Sequence, residues 1–233
     1  MRGVALIVLA KAPEPGRVKT RLCPPATAEQ AADLAAAAFL DTLDAVRGIA
    51  GGRPVVALTG RLEHAVRAAE LAEALRDTPT PAQRGADLGE RIAAAHADTA
   101  ALLPGLPTLL LGMDTPQVDA ALLTGCLDRL WHPGVDAVLG PAADGGWWAL
   151  GLRDPRWAAV LAGVPTSRAD TGERTLGVLR AAGLQVATLP ELTDVDTAAD
   201  AVVVGRSAPS TRFAAALAAL PALTAGGTLG EAG

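Results

Sequence analysis

Short aliphatic runs alternate with segments of helical character along most of this 233-residue chain. The runs are brief, rich in Val, Leu and Ala, and apolar on both faces, which is typical of strands covered on both sides of a sheet. They span residues 4–10, 54–58, 108–111, 136–139, 147–152 and 185–189. Such alternation predicts an α/β fold with a mostly parallel central sheet and helices on both faces.

Helical spacing of apolar residues predicts helices over residues 61–75, 88–103, 119–130 and 173–182, with a short helix from Pro155. Capping patterns begin two more helices at Thr27 and Thr197. We predict one domain over residues 1–205. The remaining residues, 206–233, contain an Ala/Leu helix and a Gly-rich end, which we predict to be a flexible tail.

Charge and composition narrow the class of protein. The net charge of −5 argues against nucleic acid as a partner. The two cysteines, Cys23 and Cys126, have neither disulfide nor metal-site spacing and indicate small buried residues in a reducing cytoplasm. The apolar run of residues 4–10 is too short to cross a bilayer. These features predict a cytoplasmic protein with no membrane partner.

Only two of the 20 basic residues are lysines, and both lie in the loop after the first strand. Lys11, Arg17, Lys19 and Arg21 give this loop four cations around Gly16. An ammonium is a compact charge that suits a phosphate, and ligands of such sheets bind beyond the carboxyl ends of strands. The loop matches neither the P-loop nor the dinucleotide fingerprint. It predicts a diphosphate or triphosphate site, with a basic surface loop as the alternative.

Carboxylates follow two other predicted strands. Asp114 ends one strand directly before Thr115 and Pro116, and Asp194 and Asp196 form a D-x-D after the last. In extended backbone the side chains of a D-x-D share one face. Paired carboxylates favour a hard divalent cation, Mg²⁺ or Mn²⁺, which would neutralise bound phosphates. Capping of the following helices is the alternative for Asp114 and for Asp196.

Two further segments carry weaker signals. In residues 144–148, two glycines allow a ligand to approach the backbone and two indoles offer stacking surfaces. An ordinary hairpin turn that leads into a core strand is an equally weighted alternative. Residues 83–91 begin a helix whose free N–H groups could meet a nucleotide, although capping by Asp87 explains them equally well. The three histidines lack ligand spacing, and no G-x-S-x-G occurs, which disfavours a hydrolase.

Five segments, in this order, resemble the uncharacterised DUF2064 family of the glycosyltransferase-A-like nucleotide-diphospho-sugar transferase superfamily. They are LAKAPEPGRVKTRL (residues 9–22), QRGADLGER (83–91), GMDTP (112–116), GPAADGGWWALG (140–151) and DVDTAAD (194–200). The resemblance covers about residues 4–205 and implies a single-domain, Rossmann-like glycosyltransferase-A fold. The first loop is also distantly similar to that of the 2-phospho-lactate guanylyltransferases. Those enzymes differ in a later segment, where they have Thr-Asn and this chain has Trp147 and Trp148.

The resemblance implies a role for each set of candidate residues. Those implied to bind phosphates and stabilise departing pyrophosphate are Lys11, Lys19 and Arg21. Those implied to hold a divalent metal are Asp114, Asp194 and Asp196. Those implied to contact the nucleotide are Ala10, Gly16, Asp87 and Gly89. Those implied to face the acceptor are Asp144, Gly145, Gly146 and Trp147.

We expect a metal-dependent transferase, and two reactions fit. The favoured one transfers a nucleoside monophosphate, with GMP as the candidate, from a triphosphate to a small phosphorylated acceptor, because three phosphates need a cluster of cations. The alternative is glycosyl transfer from a nucleotide-sugar. A nucleotide-binding module without catalysis is the third and least favoured hypothesis.

Overall fold

Six strands form one sheet in the computed structural model, which describes residues 3–225 of the chain. They are β1 (Val4–Lys11), β2 (Gly52–Thr59), β3 (Thr108–Gly112), β4 (Ala137–Pro141), β5 (Trp147–Leu152) and β6 (Val186–Thr188). Their order across the sheet is β2-β1-β3-β5-β4-β6. All neighbouring strands are parallel except for β5, which runs antiparallel to both β3 and β4. The predicted α/β fold with a mostly parallel sheet is therefore confirmed.

Eight α-helices accompany the strands within the described residues. They are α1 (Ala28–Arg47), α2 (Ala68–Leu75), α3 (Leu88–Leu102), α4 (Ala120–Trp131), α5 (Thr171–Ala181), α6 (Ala198–Ser207), α7 (Arg212–Ala218) and α8 (Pro221–Ala225). Short 3₁₀ helices cover Thr20–Leu22, Leu62–His64 and Pro155–Gly163. The capping boxes predicted at Thr27 and Thr197 are both formed, which fixes where α1 and α6 begin.

The helix predicted over residues 61–75 forms only in its second half, as α2. The preceding residues form the separate 3₁₀ helix Leu62–His64, and the helix is interrupted at residues 65–67. The backbone N–H of Val66 donates to the carbonyl of Pro13 at 3.0 Å, which ties this segment to the first loop. Arg67 takes a left-handed conformation with φ 56° and makes two hydrogen bonds to the carboxylate of Asp33. These tertiary contacts outweigh the helical propensity of the segment.

Apolar residues cover the sheet on both faces. Alternate residues of a strand point to opposite sides, so Leu6 and Val8 of β1 pack with α1 and α4, while Ile7 packs with α3 and α5. Burial of each such side chain contributes about 1.5–3 kcal/mol. Within residues 3–225, no helix is both long and apolar enough to cross a membrane.

The C-terminal helices join this core. Phe213 of α7 and Leu223 of α8 are buried against α1 and α6, and the carboxylate of Asp41 accepts the backbone N–H groups of Arg212 and Phe213 at 3.0 and 2.9 Å. Helix α6 runs across the boundary expected after residue 205. The division into residues 1–205 and 206–233 stays a prediction, and the predicted flexible tail lies beyond residue 225, outside the described residues.

Candidate active site

A cavity of about 730 Å³ opens at the carboxyl ends of β1 and β3, which is the size of a typical small-molecule site. In the sheet, β2 lies on one side of β1 and β3 lies on the other. The connections that leave β1 and β3 therefore run in opposite directions, which leaves a crevice at the carboxyl ends of these strands. Ligands of α/β proteins bind in such crevices. Lys11 is the last residue of β1, and Asp114 follows β3 by two residues. Both line the cavity.

The loop that carries the lysines is fastened to the sheet by two polar side chains. The buried carboxylate of Glu14 accepts the backbone N–H of Arg61 at 2.9 Å. The side-chain amide of Gln83 donates to the carbonyls of Ala10 and Ala57 at 2.8 and 2.9 Å. Glu14 and Gln83 therefore hold the ends of β1 and β2 together beneath the loop.

Lys11 is exposed, and its side chain lines the cavity. Its backbone N–H lies 3.3 Å from the sulfur of Met113, which links the end of β1 to the segment after β3. Among the described residues, the Lys11 ammonium forms no ion pair. Its charge is thus free for an anionic ligand.

Lys19 is buried and already paired. Its side chain is 9% exposed, and Nζ lies 2.7 Å from Asp114 Oδ1 and 3.3 Å from Asp196 Oδ1. Burial lowers the pKa of the Lys19 ammonium, but the two carboxylates outweigh burial and hold this pKa above its ordinary value. Its backbone is left-handed at φ 47°, a conformation that costs about 1–3 kcal/mol for a residue with a side chain. Arg21, which is exposed, reaches Asp196 Oδ2 at 3.2 Å.

Backbone hydrogen bonds bring the three predicted metal ligands together. The N–H of Val195 donates to the carbonyl of Asp114 at 3.0 Å, and the N–H of Leu192 donates to Pro141 at the end of β4. Asp194 Oδ1 is buried and accepts no hydrogen bond from the described residues. Burial, followed by the charges of Asp114 and Asp144, raises the pKa of Asp194 to about 7.

The chemistry of this cluster fits a divalent cation. The ammonium of Lys19 contacts two of the three carboxylates, those of Asp114 and Asp196. The buried Oδ1 of Asp194 has no hydrogen-bond partner among the described residues. Within residues 3–225, however, no three His, Cys, Asp or Glu side chains converge closely enough to hold a metal as they stand. The cation between Asp114 and Asp196 is Lys19. The metal site predicted at Asp114, Asp194 and Asp196 stays a prediction.

The residues expected to face the acceptor divide into two groups. Asp144, Gly146 and Trp147 line the cavity, whereas Gly145 does not. Trp147 Nε1 donates to Thr175 at 3.1 Å on one face of the sheet. Trp148 borders the cavity as well, but it is only 2% exposed and packs into the core on the other face. The two indoles therefore do not form one stacking surface, and the predicted acceptor contacts stay a prediction.

Of the residues expected at the nucleotide, Ala10 lines the cavity and three others do not. Asp87 caps α3 through a 2.9 Å hydrogen bond from Glu90 N. A Cβ atom on Gly89 would lie 2.6 Å from the carbonyl of Leu161, so this glycine allows close packing of α3. Gly16 occupies a turn with φ 75°. Their contact with a nucleotide stays a prediction, while Leu88 and Arg91 of the same segment do line the cavity.

One part of the lining was not predicted from the sequence. It is the segment between the 3₁₀ helix Pro155–Gly163 and α5, which contributes Thr166, Ser167, Arg168, Ala169 and Thr171. The sequence does signal a polar loop after Pro165. It does not indicate that this loop reaches the cavity, because its position depends on packing against residues 144–146.

Comparisons with known proteins agree with this architecture. A crystal structure from Desulfovibrio desulfuricans G20, of a protein described as a candidate nucleotide-diphospho-sugar transferase, is 30% identical and superposes with a TM-score of 0.83 over 97% of this chain and 99% of that one. A cytidylyltransferase from Leptospira borgpetersenii serovar Hardjo-bovis is 11% identical, with a TM-score of 0.57 over 97% and 96% of the two chains. The manganese complex of Rv0371C from Mycobacterium tuberculosis H37Rv is 21% identical, with a TM-score of 0.51 over 90% and 99%.

The last two likenesses concern the fold alone. No curated protein matches the sequence. The expectation of a transferase agrees with the description of the Desulfovibrio protein. A family model described as "Uncharacterized protein conserved in bacteria (DUF2064)" matches residues 42–168, which is more than half of the chain. With the 30% identity to the Desulfovibrio protein over almost its whole length, this match establishes that the chain belongs to the DUF2064 family.

Proposed function

We propose that this protein is a metal-dependent nucleotidyltransferase that moves a nucleoside monophosphate from a triphosphate to a small phosphorylated acceptor. The observation that supports this is the convergence of Lys11, Lys19 and Arg21 with three carboxylates in one cavity. A triphosphate carries enough negative charge to need several cationic donors. Phosphoryl transfer depends mainly on such positioning and charge stabilisation.

In the proposed reaction, an oxygen of the acceptor phosphate attacks the α-phosphorus of the triphosphate. The new P–O bond forms as the bond from the α-phosphorus to the bridging oxygen breaks, and the electron pair leaves with pyrophosphate. Lys11, with its free ammonium, binds the phosphates that depart and stabilises their growing charge. Lys19 and Arg21 add donors beside it.

The metal belongs to the proposal through the chain's own ligands. Asp114, Asp194 and Asp196 would hold Mg²⁺ or Mn²⁺, which when bound supplies charge neutralisation for the phosphates. Before a metal can bind, Lys19 must leave the two carboxylates that it bridges. Guanine is the proposed base, on the similarity of the first loop to that of the 2-phospho-lactate guanylyltransferases.

Glycosyl transfer from a nucleotide-sugar is the second candidate. Two observations favour it: the description of the Desulfovibrio relative and the exposure of part of Trp147 to the cavity, since sugars stack on indole rings. In that reaction a sugar moves to the acceptor and a nucleoside diphosphate leaves. The two candidate reactions therefore differ in the donor that should bind: a nucleoside triphosphate in the first and a nucleotide-sugar in the second.

Thermal unfolding with ligands distinguishes them. We would compare GTP, CTP, UDP-glucose and GDP-mannose, each with and without Mg²⁺, on the full chain. A ligand at 100 times its Kd stabilises the folded state by about 2.7 kcal/mol. We expect such a shift with a triphosphate and Mg²⁺, and pyrophosphate release once an acceptor is found. Stabilisation by a nucleotide-sugar and by neither triphosphate would overturn the proposal.

A further inference from the structure

Several polar residues that line the cavity have no role in the proposed reaction, and four of them lie on one segment. Residues 166–171, here called the 166–171 wall, contribute Thr166, Ser167, Arg168, Ala169 and Thr171 to the lining. The wall presents two aliphatic hydroxyls and one guanidinium ahead of Thr171. Such groups bind anions well, and a guanidinium can hold two oxygens of a phosphate at once.

The wall has a fixed position against the turn that begins β5. The N–H of Gly172 donates to the carbonyl of Gly145 at 2.8 Å. A Cβ atom on Gly145 would lie 1.9 Å from the carbonyl oxygen of Ala169, and one on Gly172 would lie 2.5 Å from that of Gly146. Two glycines thus allow the backbones to touch. The close approach expected of a ligand at Gly145 is made by the wall itself.

This position separates the wall from the lysines. Strand β3 lies between β1, which ends at Lys11, and β5, which begins at Trp147. Two strand spacings place β1 and β5 about 10 Å apart. A triphosphate held at Lys11 and a second anion held at the wall could therefore occupy the cavity together. The acceptor phosphate is the second anion that the proposed reaction requires.

Arg168 is the group on the wall best able to bind that anion. Its Nε lies 3.3 Å from Asp170 Oδ1, and its side chain is 59% exposed. Asp170 is held more closely by Arg174, at 2.7 and 2.6 Å. In the described part of the chain, the two Nη groups of Arg168 donate to no side chain. The backbone N–H of Arg168 donates to Thr171 Oγ1 at 3.1 Å, which fixes where the side chain starts.

We propose that the 166–171 wall binds the phosphate of the acceptor, and that Arg168 donates to the oxygens that do not attack. This proposal rests on nucleotidyl transfer as the function. It makes Arg168 a substrate-binding residue that determines specificity for a phosphorylated acceptor. Ser167, which has φ 59°, and Thr166 supply hydroxyl donors beside it.

The chain offers a matched control for Arg168. Arg174 pairs with the same Asp170 carboxylate but does not line the cavity. We would saturate the protein with Mg²⁺ and the α,β-methylene analogue of whichever triphosphate stabilises it, and then titrate inorganic phosphate by calorimetry. We expect Arg168→Ala to weaken phosphate binding at least about tenfold while changing the affinity for the analogue less than about twofold. We expect Arg174→Ala to change neither.

Equal phosphate affinity in wild type and Arg168→Ala would overturn the proposal, and so would a loss of analogue binding alone, which would assign Arg168 to the donor. Acetate serves as the carboxylate probe: we expect no displacement of phosphate, and equal competition would refute specificity for phosphate. Arg168→Gln repeats the test if Arg168→Ala unfolds. If no triphosphate binds, the proposed function fails separately, and phosphate titration of Lys11→Ala with and without Arg168→Ala still tests the wall.

Discussion

The two lysines of this chain lie eight residues apart, one at the end of β1 and one in the loop that follows, yet their surroundings are opposite. Lys11 ends β1, is exposed and forms no ion pair with any described residue. Lys19 is 9% exposed and lies between Asp114 and Asp196. The same side chain thus serves as a free charge at one position and as a neutralising charge at the other.

From the sequence, both lysines were expected to bind phosphate, but their different surroundings give them different roles. Lys11 is ready to bind phosphate without any rearrangement. Lys19 neutralises Asp114 and Asp196 when no metal is bound, so it can reach a phosphate only by giving up these partners. An ion pair of this burial is costly to break when nothing replaces the lost partner. We therefore expect Lys19 and a divalent metal to compete for Asp114 and Asp196.

The largest expected effect is that of Lys11→Ala on nucleotide binding. Loss of one charge-assisted contact costs about 1.5–3 kcal/mol, which predicts a Kd for triphosphate raised about 10- to 150-fold. The free energy of unfolding should change by less than about 0.5 kcal/mol, because the side chain is exposed. Calorimetric titration measures the first quantity and urea unfolding the second. Lys11→Arg keeps the charge and should lose less, and an unchanged Kd for both variants would remove Lys11 from the site.

The second prediction concerns metal affinity without nucleotide. Lys19→Met removes the ammonium that bridges Asp114 and Asp196, and we expect Mn²⁺ to bind about tenfold more tightly, a gain of about 1.4 kcal/mol that is modest for charges in contact. The matched variant Lys11→Met should bind Mn²⁺ as the wild type does. Electron paramagnetic resonance of free Mn²⁺ measures both. Weaker binding to a folded Lys19→Met protein would show that Lys19 does not compete with the metal.

The sequence could predict the first lysine's environment but not the second's. Because the aliphatic run of β1 ends at Lys11, the rule that ligands bind at carboxyl ends of strands locates that residue. The same rule located Asp114 after β3. Lys19 lies in a left-handed conformation inside a loop, and no local propensity favours that for lysine. Its contacts with Asp196, 177 residues away, depend on tertiary packing.

Other features of the molecule also divide into those that the local sequence predicts and those that depend on tertiary contacts. Local patterns predicted the strands, the capping boxes at Thr27 and Thr197 and the start of α3. They left a hairpin turn at residues 144–148 as one of two alternatives, and β5 does run antiparallel to β4. They did not predict that β5 lies between β4 and β3, or the break before α2, which depends on contacts with the first loop. The 166–171 wall was missed for the same reason, since Gly145 and Gly172 position it through backbone contact.

The third prediction follows from the excess of carboxylates around Lys19. The pKa of Asp194 is raised from 3.8 to about 7 in the folded protein. Its protonated form therefore favours folding, a contribution fully present below about pH 4 and lost as the pH rises through about 7. In EDTA, as the pH rises from 5 to 6, the free energy of unfolding of the wild type should fall by up to about 1.4 kcal/mol relative to that of Asp194→Asn. Parallel urea-unfolding profiles of the two proteins would contradict this.

The smallest effect should come from Arg21, which shares Asp196 with Lys19 but is 75% exposed at its side chain. Exposed ion pairs contribute only about 0–1 kcal/mol, so Arg21→Ala should lower the free energy of unfolding by less than about 0.5 kcal/mol. Because Lys19 remains between the carboxylates, Mn²⁺ affinity should rise less than about twofold. If Arg21→Ala instead tightened Mn²⁺ binding as much as Lys19→Met, burial would not distinguish the two cations. Overall negative charge, rather than the contact made by Lys19, would then control access of the metal to Asp196.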